Sequence, residues 1–171
     1  MARADVRLTL ASVILLRHGK SDWGGDEPDR DRPLSPRGRR AAATMGRFLL
    51  ETGMPDLILT SPAARARETV SLALAAAGRL TTYEEREALY GGGVDGLLTE
   101  LCSLDDSIEL VLAVGHEPTW SDAIASMTGG GLVAMPTATA ARVDFGDVSW
   151  SQLRTCTGVL AWLVPPRVIA R

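Results

Sequence analysis

Residues 12–23, SVILLRHGKSDW, decide how this chain is built. Ser12 to Leu16 form a short, nearly continuous apolar run, the pattern of a strand buried on both faces, and it runs straight into Arg17, His18 and Gly19. An unpaired guanidinium or imidazole in a core is costly. Arg17 and His18 therefore belong at the mouth of a buried strand, facing a group that accepts them.

Downstream, further apolar runs recur at 56–60 (DLILT), 79–83 (RLTTY, weaker), 108–114 (IELVLAV), 139–145 (TAARVDF) and 158–164 (GVLAWLV). Helical patterns separate them. One opens at Ser35 with Pro36 behind it and stops at Gly53, and a second opens at Ser61 and Pro62 and stops at Gly78. Both carry a hydroxyl N-cap, a first-turn proline and a terminal glycine. Shorter helices are expected over 94–104 and 119–128. Alternation of this kind predicts βαβ units and an α/β fold with a mainly parallel sheet. Beyond residue 130 the strands are expected to be antiparallel or at the sheet edge.

Open α/β sheets collect ligands outside the carboxyl ends of their strands. Arg17-His18 follow the first run, Ser61 to Arg65 the second, and Gly115-His116 the fourth, so both histidines of the chain fall on that one edge. Two arginines and two imidazoles there make a cationic pocket in a chain of net charge -3. Such a pocket suits a phosphoryl oxyanion: arginine offers a planar fork to paired oxygens, and the helix starts near Ser61 and Thr119 offer backbone N–H groups. A neutral imidazole is a competent nucleophile toward phosphorus. His18 fits that part, with Gly19 letting the backbone approach and its carbonyl orient the ring. An activity profile rising near the imidazole range is expected.

The 171 residues fit one domain, 1–171, with its own core. The acidic balance argues against nucleic acid or an anionic membrane surface as partner. Cys102 and Cys156 form no CxxC pair, which points to free thiols and a cytoplasmic location. Asp5 and Arg7 interrupt the apolar N-terminal stretch, which reads as a lead into the first strand and not as a signal peptide. Two histidines without a carboxylate cluster make a poor metal site, and no Gly-rich phosphate cradle is present, so no cofactor is expected. Trp23 and Trp120, which follow the histidine motifs, read as packing residues, and the triple glycines at 91–93 and 129–131 as loops.

LRHGKSDW, DRPLSPRG, SPAARARET, AVGHEPTW and MPTATAARVDF, in that order, resemble the histidine phosphatase superfamily with its Arg-His-Gly signature, most closely the SixA-type phosphohistidine phosphatases. The resemblance spans roughly residues 12–145. It implies a Rossmann-like three-layer α/β/α sandwich, the phosphoglycerate mutase-like fold. It also implies a phosphatase that needs no metal and works through a phosphohistidine on His18, with Arg17, Arg65 and His116 holding the phosphoryl oxygens. Arg32 matches a pocket-mouth arginine of the SixA branch, and Ser21 a phosphate-contacting position of larger members. Gly24 stands where the mutases have asparagine, which disfavours a sugar-phosphate mutase.

Larger members protonate the leaving group with a carboxylate. Here Glu84, Glu85 and Glu87 lie in the corresponding region, with Glu87 the nearest match and Glu117 a further candidate. The expected substrate is a phosphorylated protein carrying phosphohistidine, or a small phosphorylated molecule. The alternatives are a phosphomonoesterase using Glu87 as general acid and a phosphate-binding module without turnover.

Overall fold

The computed structural model describes residues 10–79 and 81–170. The expected lead into the first strand concerns residues 1–9 and lies outside them. A six-stranded sheet runs β1 (Leu10–Arg17), β2 (Leu57–Thr60), β3 (Glu84–Glu85), β4 (Leu110–Gly115), β5 (Ala140–Asp147) and β6 (Val159–Val164), in the spatial order β3-β2-β4-β1-β5-β6. The first four strands are parallel to one another, while β5 joins β1 and β6 joins β5 antiparallel.

Helices α1 (Pro36–Thr52) and α2 (Ala64–Ala76) cover one face, where Met45, Leu49, Ala66 and Val70 meet Ile14, Leu16, Ile58 and Leu112. The other face is covered by α3 (Ala88–Gly91) and α4 (Gly93–Cys102), which follow each other closely, by α5 (Thr119–Met127) and by a 3-10 turn at Trp150–Thr155. There Leu97, Leu101, Trp120, Ile124 and Trp150 pack on Val13, Leu15, Val111 and Ala113. The result is a three-layer α/β/α sandwich. A short α6 (Pro166–Ile169) returns against α1. No helix of the described residues is long and apolar enough to cross a membrane.

Alternate residues of β1 serve the two cores, and Val13, Ile14, Leu15 and Leu16 are all fully buried. At roughly 1.5–3 kcal/mol each, these four side chains pin the strand and so determine where Arg17 and His18 emerge. The register then assembles the ligand edge. Arg17 pairs with Gly115 and Thr60 with Val114, while the His18 amide donates to the Gly115 carbonyl and the Ser61 amide to that of Val114.

The third strand departs from expectation, lying at Glu84–Glu85 and not over 79–83. The Arg79 amide reaches back to the Leu74 carbonyl at 3.0 Å and Gly78 sits at φ 65°. The end of α2 thereby consumes the start of that run. Gly91–Gly93 also differ from the expected loop: Gly91 closes α3 and Gly93 opens α4.

Candidate active site

His18 leaves β1 with its ring already oriented. Nδ1 lies 2.7 Å from the Gly19 carbonyl. That oxygen can only accept, so Nδ1 carries the proton and Nε2 presents a lone pair. Gly19 is held in turn. Its amide donates to Thr69 Oγ1 at 3.0 Å, and the Thr69 hydroxyl donates to the Arg65 carbonyl at 2.6 Å. A Cβ at position 19 would come within 2.7 Å of the Gly38 carbonyl, so the approach of α1 admits only glycine. Ala138, at φ 60°, donates its amide to the His18 carbonyl and braces the other side.

Around the ring stand the other cationic and imidazole groups. The His18 and His116 ring centroids are 5.0 Å apart. Arg65 Nε donates to His18 Nε2 at 3.3 Å, while its two terminal nitrogens reach the Asp29 carbonyl at 2.5 Å and Asp29 Oδ2 at 3.0 Å. Arg17 Nη1 donates to the Met135 carbonyl at 2.7 Å. His116 Nε2 meets Ser61 Oγ at 2.7 Å. These groups line a cavity of about 220 Å³ that also contacts Lys20, Ser21, Trp23, Arg32, Glu117 and Thr137. A larger hollow of about 450 Å³ lies between α1 and α6, around Arg47, Phe48 and Val168. It brings together no imidazole or nucleophile, so the chemistry belongs to the smaller one.

Burial pushes the His18 pKa down to about 3, assisted by His116 and by the charges of Arg65 and Arg17, against the pull of the Gly19 carbonyl. Burial with Arg65 and Arg17 lowers His116 to about 4, opposed by Asp29. The expected activity rise near the imidazole range is thereby displaced to acid, because desolvation in a cationic pocket disfavours a further positive charge. Both rings are neutral at pH 7. In the unfolded chain they titrate near ~6.5, so the unfolded state binds the extra protons below that value and folding stability falls on acidification. The Tm should drop as pH falls from about 6.5 toward 4, while the ring proton resonances of both histidines hold still between about pH 5 and 8. A ring titrating near neutrality in NMR would contradict this environment.

The structure brings Arg17, His18, Gly19, Ser21, Arg32, Arg65 and His116 together. Ser21 is buried at the cavity wall, bridging to Leu34. Arg32 lies 3.5 Å over the Trp23 ring and donates to Asp29 Oδ1 at 2.5 Å. Trp23 is thus 70% exposed at the cavity mouth and is no packing residue, whereas Trp120 is buried and donates to the Leu16 carbonyl. Glu87 stands apart: it pairs with Arg30 at 2.5 Å, 70% exposed, and does not line the cavity. Glu117, at the cavity wall, accepts from the Ser121 amide and hydroxyl in the first turn of α5.

The helix start expected at Ser61 also moves, since α2 begins at Ala64 and the Ser61 hydroxyl pairs with His116. Asp29, Thr69 and Tyr90 were not legible as site residues. Asp29 sits in a charged loop three residues before Arg32, and only folding places its carboxylate against Arg65 and the Tyr90 hydroxyl. Partial burial would raise the Asp29 pKa, but Arg65, with Tyr90 and Arg32, outweighs it and holds the carboxyl below its usual range.

Residues 13–99, just over half of the chain, match the model of the histidine phosphatase superfamily, branch 1. An uncharacterized protein of Mycobacterium tuberculosis is 39% identical over 108 residues, 62% of this chain and 65% of that protein, so the match spans just under two thirds of the relative's length. A structure provisionally named phosphohistidine phosphatase SixA from Nakamurella multipartitia superposes with a TM-score of 0.76 at 29% identity, covering 91% of this chain and 96% of that one. The protein histidine phosphatase SixA complexed with tungstate shares the fold, with a TM-score of 0.79 at 22% identity over 92% of this chain and 98% of that chain. The match over residues 13–99, which takes in the Arg-His-Gly turn at the end of β1, places the chain in the histidine phosphatase superfamily, branch 1, with the fold of its SixA type.

Proposed function

We propose that the protein is a phosphatase that moves a phosphoryl group from a labile phosphoramidate, foremost phosphohistidine in a protein, to His18 and then to water. One observation carries the reading. Among the described residues, Arg17 Nε, Arg32 Nε and His116 Nδ1 are buried polar atoms without a hydrogen-bond partner, and all three residues line the cavity beside His18. Buried donors are rarely left unsatisfied, and a phosphoryl group supplies the oxygens these lack.

In the first step the His18 Nε2 lone pair attacks phosphorus and the bond to the leaving nitrogen breaks. No proton has to leave His18, because Nδ1–H stays on the Gly19 carbonyl while the ring takes the positive charge. A substrate imidazole protonated at its other nitrogen departs as a neutral ring. Water then attacks the phosphohistidine, His18 Nε2 leaves with its electron pair, and the water proton goes to phosphate or solvent. The arginines supply charge neutralisation that phosphoryl transfer requires. The Arg65 Nε bond to Nε2, at 3.3 Å, is longer than an ordinary N–H hydrogen bond. It must yield to the incoming phosphorus.

The carboxylates near the cavity favour a labile leaving group. Glu87 is bound to Arg30, Glu117 to Ser121, and Asp29 to Arg65 and Tyr90 in its ionised form. None is poised to protonate an alkoxide. In a panel of phosphohistidine peptide, phosphoramidate, aryl phosphate and sugar phosphate, the P–N substrates should exceed the sugar phosphate by about 10²-fold or more in kcat/KM. Equal rates across the panel, or a Glu87→Gln variant slowed selectively on poor leaving groups, would transfer the assignment to a phosphomonoesterase.

A further inference from the structure

Ser61 is fully buried just beyond β2, and its hydroxyl has two neighbours. The Ala63 amide donates to Oγ at 3.3 Å, and His116 Nε2 lies 2.7 Å away. A hydroxyl has one proton to give. Among the described residues the Ser61 proton has a single acceptor within reach, the Nε2 lone pair. If Nε2 carried the ring proton instead, the buried hydroxyl would receive two donors and its own proton would be stranded, which a dry site penalises. Nδ1 shows the complementary deficit: it is buried and unpartnered, on a ring that lines the cavity.

We propose that Ser61 is a positioning residue for catalysis, whose hydroxyl fixes neutral His116 as the Nδ1–H tautomer and so aims an uncharged donor at the phosphoryl oxygens. The two histidines then carry their protons on the same ring atom for opposite purposes. In His18 the Nδ1–H is bound to the Gly19 carbonyl, freeing Nε2 to attack. In His116 Nε2 is held by Ser61 and Nδ1–H serves the substrate. The groups facing His116 explain why a tautomer lock is needed where a charged imidazolium would otherwise do. Arg17 at the end of β1, His18 just beyond it and Arg65 from α2 crowd it with cationic and imidazole groups. The countercharge of Asp29 is bound to Arg65, and Glu117 is bound to Ser121. Tyr90 has its ring centroid 5.6 Å from that of His116 and gives its hydroxyl proton to Asp29 Oδ2. A neutral donor must therefore be oriented by its hydrogen bond.

This inference rests on the phosphatase reading, and its test separates the two. Long-range ¹H–¹⁵N spectra of the substrate-free protein report the tautomer without turnover. The wild type should show protonated Nδ1 on His116, and Ser61→Ala should shift it toward Nε2–H. With the P–N substrate, Ser61→Ala should lower kcat about tenfold at pH 7.5, short of the ~10²–10³ of a deleted donor, since the ring can still re-tautomerise. The deficit should shrink at least about threefold toward pH 4.5, where protonation restores Nδ1–H without help from the serine. Ser61→Thr, which keeps the hydroxyl, should retain the wild-type tautomer and pH profile. An Nε2–H wild type, an unchanged tautomer in Ser61→Ala, or a loss constant with pH would overturn the proposal. A wild type that shows Nδ1–H yet hydrolyses nothing would instead defeat the phosphatase reading and leave the tautomer assignment standing.

Discussion

His18→Ala should lose at least about 10⁴-fold in kcat on every substrate, because the other imidazole of the cavity, His116, has its Nε2 taken up by Ser61. The ring is buried and its strongest bond is to the neighbouring Gly19 carbonyl, so its removal leaves the sheet and both cores untouched. Arg17, Arg65 and His116 remain at the cavity, and inorganic phosphate should still bind the variant. Rapid quenching with labelled substrate should trap acid-labile, base-stable phosphate on the wild type and none on His18→Ala. Phosphate still trapped on the variant would assign the nucleophile elsewhere. Retained phosphate binding beside lost turnover is the pattern that distinguishes a missing nucleophile from a collapsed pocket.

Arg65→Ala should be the next most damaging change, costing roughly 10³-fold in kcat/KM. Two effects combine. The variant loses a guanidinium that touches His18, and it strips Asp29 of one of its two guanidinium partners, leaving Arg32 and the Tyr90 hydroxyl. A carboxylate left with less countercharge repels a phosphoryl dianion, so part of the loss belongs to Asp29 and not to Arg65. Asp29→Ala in the Arg65→Ala background should therefore recover about tenfold, mostly in KM, a coupling that a double-mutant cycle measures. Additive losses would mean that Asp29 contributes to the reaction in its own right. In the single Asp29→Ala variant, tighter binding of inorganic phosphate is expected, because a competing acceptor for the Arg65 fork has been removed.

These effects trace back to residues whose roles were legible to different degrees. Apolar runs announced β1, β2 and β4, because strands buried on both faces leave a continuous apolar record. The short β3 was misplaced, since two exposed glutamates carry no such record and their pairing depends on where α2 ends. Serine-proline openings look alike in sequence. At Ser35 the hydroxyl does cap α1, accepting from the Gly38 amide at 3.2 Å, whereas at Ser61 a neighbouring imidazole claims it.

The amino-acid order alone dictates the α/β class and the convergence of Arg17, His18, Arg65 and His116 on one sheet edge, because parallel strands deliver their carboxyl ends together. It leaves open the protonation and pairing of those groups. That His18 and His116 are neutral, that Arg65 is shared with Asp29, that Glu87 faces Arg30 and that Ser61 serves His116 all depend on burial and on contacts between residues far apart in the chain. Periodicity records which face of an element is buried. Desolvation and hydrogen-bond partners arise only when the elements pack, and at this site they determine which ring nitrogen of each histidine carries the proton.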